Sequence, residues 1–214
     1  LFSYFFNDKN YTNDGLTLIK YILDRHVNLN NKFSGLENFD FVEFIDKHGK
    51  PYIENENIIC DPGHALEFAG LSLKFIKTIK NKKTLSAGQK EFIATCKKII
   101  PEILFHNFKL GFSGKGGICK SFSLSAGKPL NSDMPWWSLP ETVRAASYAW
   151  EIVSTEADKA KCMDIIVKCS DAFMKNFVNK KVHYFQYQTI DKNAKPISVI
   201  PATPDADPGY HTCL

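Results

Sequence analysis

Two histidines in this chain stand just past an Asp-Pro-Gly segment. His64 follows the segment at residues 61–63 directly, and His211 follows the one at residues 207–209 after a single tyrosine. Aspartate is a favoured N-cap residue and proline a favoured first helical residue, so each segment predicts a helix start. In that first turn the helix dipole disfavours the imidazolium form of His64, which predicts the neutral imidazole that a general base needs near pH 7.

Glu67 follows His64 by three residues, and side chains at this spacing share one face of a helix. One interpretation makes the two side chains part of an acid/base site. In the other interpretation, His64 hydrogen-bonds the preceding loop and Glu67 only caps the helix start. The residues alone leave both interpretations open.

A second group of chemically suggestive residues surrounds two adjacent tryptophans, Trp136 and Trp137. Their rings suit the apolar face of a sugar, and Glu141 could hold sugar hydroxyl groups. Ser138 and Glu141 also fit a capping box, and Arg144 lies three residues further on as an ion-pair partner for Glu141. Core packing together with a helix cap is therefore the alternative interpretation of the same residues.

The elements that must position these groups are helices joined by polar connections containing Gly and Pro. Helices are predicted at residues 14–27, at 62–80, from the capping-box pair Ser86 and Gln89 through Ile103, after Ser138, and at 156–178. Pro101 predicts a kink or a break in the third helix. The Gly-rich stretch at 110–133 predicts a β-hairpin, and residues 182–200 predict a strand pair or a loop.

Three prolines mark a repeat in the chain. Pro62, Pro135 and Pro208 are 73 residues apart (62 to 135 and 135 to 208), each near the start of a helix predicted to be buried. Such a period predicts a repeated helical hairpin, either stacked as an open solenoid or closed into an α/α toroid. Closing a six-hairpin toroid would need roughly twice this chain, which predicts half a barrel. If the buried helices run parallel, both histidines and the tryptophans lie on one rim.

Composition argues against several other classes of protein. Hydrophobic residues make up 44% of the chain and charged residues 23%, as in ordinary globular domains, and no apolar run reaches the roughly 20 residues of a membrane helix. The net charge of +4 is scattered, so no nucleic-acid surface is expected. The six cysteines form no C-x-x-C pair, which favours reduced thiols, a cytoplasmic location and no metal site. The start at Leu1 and the abrupt end at Leu214 predict a fragment.

Taken together, these segments resemble motifs of the N-acylglucosamine 2-epimerase family, which includes cellobiose 2-epimerases. Gly63, His64 and Glu67 resemble the family's G-H-x-x-E segment, and residues 209–211 resemble its final histidine segment. The two tryptophans with the glutamate at residues 136–141 resemble its W-W-x-x-x-E segment, although Ser-Leu-Pro replaces the usual P-Q-A at residues 138–140. Order and approximate spacing agree from about residue 12 to the end.

The resemblance implies a fold, an activity and a set of site residues. The implied fold is an (α/α)6 barrel, of which residues 1–214 would form a single all-α domain: a partial barrel of helical hairpins with short β-hairpin loops. The implied activity is 2-epimerisation or aldose–ketose isomerisation at the reducing end of a free sugar, with no cofactor. It implies His64 and His211 as the proton-transfer pair and, as pocket residues, Glu67, Trp136, Trp137 and Glu141. Arg144 is the local candidate for holding the developing oxyanion.

Two histidines suit this chemistry because one can remove the acidified C2 proton and the other can return a proton to the opposite face. Two other functions stay open. A glycoside or unsaturated-uronyl hydrolase on the same toroid would recruit Glu67 and Glu141 as its carboxylate pair, and a non-enzymatic helical-repeat scaffold would need neither. The expected partner is a small-molecule sugar, with no nucleic acid and no membrane, and a homodimer stays open.

Overall fold

The computed structural model describes residues 9–79, 84–180 and 186–199. The helices in this part of the chain are α1 (Lys9–Arg25), α2 (Pro62–Ile79), α3 (Ala87–Gly111), α4 (Ser138–Trp150) and α5 (Glu156–Ala172), the last continued by a π-helical turn, Phe173–Phe177. Each lies where the sequence predicts a helix, so the predicted helical class is confirmed. None of the described helices combines the length and the apolar character that a membrane crossing requires.

Short strands fill the connections between the helices. They are β1 (Ile53–Glu54), β2 (Asn57–Cys60), β3 (Phe112–Ser113), β4 (Gly117–Ile118), β5 (Ser121–Ser123), β6 (Lys128–Asn131), β7 (Met134–Pro135) and β8 (Thr189–Ile190). One antiparallel sheet has the order β1-β2-β5-β6, and two further pairs are β3-β4 and β7-β8. The Gly-rich stretch thus forms two hairpins. The β2–β5 pairing, with Cys60 opposite Phe122, joins the connection before α2 to the connection before α4.

Helices α2 and α4 pack side by side and run parallel. A Cβ on Gly63 would lie 3.3 Å from Cβ of Ser138, and a Cβ on Gly70 would lie 3.3 Å from Cα of Ala145. Both contacts join residues 75 positions apart (63 to 138 and 70 to 145), so the two helices share one direction and their N-terminal ends lie together. The predicted common rim is therefore confirmed for these two helices, whereas Pro208 lies outside the described residues.

The outer helices cover this pair, with α3 packed on α2 and α5 packed on α4. Leu66 and Leu73 of α2 and Ile100 and Ile103 of α3 are fully buried in one continuous core. Burial of each such side chain stabilises the fold by about 1.5–3 kcal/mol. The core therefore fixes the inner helices whose N-terminal ends form the rim.

Pro101 does not break α3, so of the two predicted outcomes, a kink or a break, the break is wrong. The helix continues as one element of 25 residues, with Pro101 inside it and buried. A proline in a helix interior removes one backbone hydrogen bond, and burial of the nearby residues Ile100 and Ile103 in the core offsets that loss.

The two predicted capping boxes have opposite outcomes. Ser86 and Gln89 form theirs at the start of α3, with both reciprocal hydrogen bonds present. The one predicted at Ser138 and Glu141 is wrong, because Ser138 already lies inside α4 and its hydroxyl donates to the carbonyl of Pro135 at 2.8 Å. The Glu141 side chain is fully buried and forms an ion pair with Arg144.

Candidate active site

His64 is the third residue of α2 and stands at the rim. Asp61 caps the helix as the sequence predicts, because its Oδ1 accepts the backbone N–H of Gly63 at 2.9 Å and that of His64 at 3.4 Å. The imidazole that leaves this fixed turn is 44% exposed. A ligand can therefore reach it while the backbone beneath it is held in place.

A carboxylate outside the predicted site binds the imidazole. Nδ1 of His64 lies 2.9 Å from Oε1 of Glu43, which comes from the connection between α1 and β1. A carboxylate on Nδ1 favours the tautomer in which Nε2 accepts a proton. The sequence gives no signal for this pair, since the two residues are 21 positions apart and no helix or strand period relates them.

The segment that carries Glu43 is tied to the core from two sides. Nε2 of His106 on α3 lies 2.7 Å from Oδ1 of Asp40, and Nδ2 of Asn107 donates to the carbonyl of Phe39 at 3.0 Å. The backbone N–H of Glu43 donates to the carbonyl of residue 59 on β2 at 2.8 Å. Glu43 is thus held against His64 by its own backbone.

The electrostatics of His64 differ from the sequence-based prediction. The hydrogen bond to Glu43 raises the pKa of His64 above its ordinary value; burial opposes this, Asp61 adds to it, and the Lys120 charge lowers the pKa. The prediction of a pKa lowered by the helix dipole is therefore wrong, because two carboxylates lie close to the ring. A larger share of His64 is protonated near neutral pH, which suits a group that must both accept and donate protons.

Trp137 and Lys120 complete the surroundings of the imidazole. The indole of Trp137 stacks on the His64 ring, with ring centroids 5.5 Å apart and planes inclined by 29°. Nζ of Lys120 lies 5.7 Å from the Trp137 centroid and donates to Oδ2 of Asp61 at 3.0 Å. We call these four residues around His64, namely Glu43, Asp61, Lys120 and Trp137, the His64 cluster.

A cavity of about 540 Å³ opens beside His64 between α1 and α2. Its polar lining includes His64, Glu43 and Glu67, and its apolar lining includes Phe41 and Phe68. A cavity of this size, mostly apolar with a few converging polar groups, is typical of a small-molecule site. The structure therefore brings the predicted residues His64 and Glu67 to one cavity.

Three other predicted site residues are absent from the lining of the cavity beside His64. Trp136 is 1% exposed and its Nε1 donates to Oε1 of Gln188 at 2.8 Å, so its ring is part of the core and not an open sugar platform. Glu141 is fully buried and forms an ion pair with Arg144. Arg144 lines a different cavity, of about 600 Å³ between α4 and α5, whose lining does not include His64. The structure thus gives no support to Arg144 as the cation beside His64; Lys120 lies there instead.

The remaining predictions about the site concern His211, metals and thiols. His211, the second predicted catalytic residue, lies outside the described residues. Within the described ranges, no group of three or more His, Cys, Asp or Glu side chains could hold a metal ion. Burial raises the pKa of the Cys96 and Cys119 thiols to about 12, which keeps them protonated and unreactive at neutral pH.

Comparison with known proteins agrees with this architecture. The sequence model of the family described as N-acylglucosamine 2-epimerase (GlcNAc 2-epimerase) matches residues 5–213. The fold is similar to that of a cellobiose 2-epimerase from Bacillus thermoamylovorans B4167, with a TM-score of 0.65 and 16% identity over 89% of this chain and 42% of that one. It is also similar to a sugar epimerase from a ruminal bacterium, with a TM-score of 0.70 and 13% identity over 96% and 46% of the two chains. No curated protein matches.

These likenesses bear on the fold alone, because the sequence identities are low. The chain spans less than half the length of either solved structure. A partial (α/α)6 barrel, as predicted, accounts for both the similarity and the coverage.

Proposed function

The chain belongs to the N-acylglucosamine 2-epimerase family, and from this premise we propose that it forms part of a sugar 2-epimerase or aldose–ketose isomerase. The substrate would be a free sugar, attacked at its reducing end. The observation that carries the proposal is the His64 imidazole at the rim, with Glu43 on Nδ1, Trp137 stacked on its ring and the cavity beside it.

The proposed chemistry moves protons only. Ring opening gives a C1 aldehyde, which acidifies the proton on C2. Nε2 of His64 removes that proton, and the electrons of the C–H bond form an enediolate. His211 is proposed to return a proton to the opposite face of C2, which gives the epimer; return to C1 would give a ketose instead. No cofactor is required because nothing but protons is exchanged.

Glu67 and Trp137 are proposed to hold the sugar. Glu67 lines the same cavity as His64 and can accept hydrogen bonds from hydroxyl groups. Trp137 is half-buried and stacks on His64, so an exposed part of its ring can meet the apolar face of a sugar. Glu141 and Trp136 are buried, so they would contribute to the site by stabilising the start of α4.

The hydrolase alternative loses support from the same geometry. It would need two carboxyl groups that face one substrate from either side of the scissile bond. Glu67 lines the His64 cavity, but Glu141 is fully buried and paired with Arg144. The structure therefore offers no carboxylate pair from these two residues.

We also propose a cytoplasmic location and a sugar as the small-molecule partner. Five cysteines among the described residues are free and buried, which agrees with a reducing compartment. A homodimer stays a prediction that a measurement of molecular mass in solution would decide.

Turnover in heavy water tests the proposal. The full-length protein is incubated with mannose, N-acetylglucosamine or cellobiose, and NMR of the product should show deuterium on C2. His64→Asn and His211→Asn should each lower turnover by roughly 10²–10⁴, the usual contribution of a positioned acid or base. His48→Asn, at an exposed turn, is the matched control and should leave turnover unchanged. Product with unlabelled C2, or normal turnover in both site variants, would contradict the proposal.

A further inference from the structure

Lys120 has a position that the proposed reaction does not yet use. It stands directly before β5, and the β2–β5 pairing brings it to the start of α2. Its backbone N–H donates to the carbonyl of Asp133 at 2.8 Å, and its ammonium donates to Oδ2 of Asp61 at 3.0 Å. The Asp61 side chain is only 8% exposed, whereas that of Lys120 is 46% exposed. The ammonium is thus anchored at a fixed point on the rim.

Lys120 shares both of its neighbours with His64. Oδ2 of Asp61, which accepts from Lys120, lies 3.7 Å from Nδ1 of His64. The ring of Trp137 stacks on His64 and also lies 5.7 Å from the Lys120 ammonium. Two carboxylates therefore adjoin the imidazole, and one of them is bound to a cation. Such an ion pair presents a smaller net negative field to the imidazole than a lone carboxylate would.

We infer that Lys120 is a positioning residue of the His64 cluster: by binding Asp61 it offsets one of the two carboxylate charges beside His64 and keeps the imidazole able to accept a proton. The inference rests on the proposed function for its catalytic meaning. The titratable groups around the imidazole come from several elements, namely Glu43, Asp61, Lys120 and, in the lining of the adjacent cavity, His26 and Glu67. Among them Lys120 is the group that lowers the pKa of His64 by its charge.

The first test is a titration of His64 by NMR in the full-length protein with labelled histidine. Lys120→Gln removes the charge but keeps a donor for Asp61, and Lys120→Arg keeps the charge. The midpoint for His64 should rise in Lys120→Gln and stay at the wild-type value in Lys120→Arg. Lys128→Gln, at an exposed site on β6, is the matched control and should not move it. Lys120→Met replaces the glutamine variant in this comparison if the latter does not fold. An unchanged or lower midpoint in a folded, uncharged variant overturns the inference.

The second test is the pH dependence of turnover. A higher midpoint leaves less neutral imidazole near pH 7, so turnover of Lys120→Gln should fall roughly three- to tenfold there and recover as the pH rises. KM should stay within about twofold, because a positioning residue does not touch the sugar. If turnover fell equally at every pH and KM rose, Lys120 would bind the sugar directly, and the inference would be overturned. The titration needs no turnover, so an inactive protein whose midpoint still shifts would count against the proposed function alone.

Discussion

His64 and Glu43 are joined by a hydrogen bond of 2.9 Å between Nδ1 and Oε1, although the β1–β2 hairpin separates them in the chain. The helix dipole and this carboxylate act on the imidazole in opposite directions. A helix N-terminus acts as roughly half a positive charge spread over the first turn, whereas Glu43 carries a full negative charge in direct contact with the ring. The tertiary contact therefore prevails, and the pKa of His64 is raised.

Replacing Glu43 tests this relationship directly. Glu43→Gln keeps the size of the side chain but removes the charge that stabilises the imidazolium, so the titration midpoint of His64 should fall. Histidine NMR measures the midpoint without any substrate. Glu54→Gln, at an exposed position on β1, is the control and should leave it unchanged. A midpoint that stays at the wild-type value in Glu43→Gln would show that another group sets the proton affinity of His64.

The pH dependence of stability follows from the same pair. Because the pKa of His64 is raised on folding, its contribution is fully present below the unfolded pKa of about 6.5 and is lost as the pH rises through the folded value. The pair is partly exposed, so the contribution should be about 0–1 kcal/mol. Urea unfolding of wild type and Glu43→Gln, measured from about pH 5 upward, should show a stability difference that shrinks with rising pH. A stability difference that grows with rising pH would contradict a raised pKa for His64.

Trp136 is expected to act on stability. Trp136→Ala empties a fully packed position and leaves the Gln188 side chain without its indole donor, so the free energy of unfolding should fall by about 3–5 kcal/mol. Trp150→Ala, at an exposed position at the end of α4, should cost far less and serves as the control. If urea unfolding gave equal losses of unfolding free energy for the two variants, Trp136 would not be a packed residue of the core.

Trp137 is expected to act on sugar binding. Trp137→Ala removes the half-buried ring that stacks on His64, while the fully buried neighbour Trp136 remains in place. Sugar affinity, followed by calorimetric titration of the full-length protein, should therefore fall more than the free energy of unfolding does. If the variant failed to fold and showed no selective binding defect, the Trp137 ring would serve packing and not sugar binding.

Local sequence patterns predict the helices and the caps at Asp61 and Ser86, because helix periodicity and capping depend on residues that are close in the chain. Asp61 illustrates the point, since its residue type and the proline after it were enough to predict the cap on α2. Glu43 and Lys120 illustrate the limit, because they reach His64 only through a loop anchored on α3 and through the β2–β5 pairing. Trp136 shows a second limit: residue type alone does not tell a sugar platform from a core side chain.

The close approach of α2 and α4 has a consequence for how the site responds to a ligand. Gly63 and Gly70 let α2 approach Ser138 and Ala145 of α4 closely, and the end of the Trp137 ring also lies beside Gly63. The spacing between the main chains that carry His64 and Trp137 is then fixed by this helix packing. A sugar bound in the cavity beside α2 would order few torsions of so rigid a helix, so little conformational entropy of that wall would be lost on binding. The same stiffness would make the site selective, because it could not repack around a sugar of different shape.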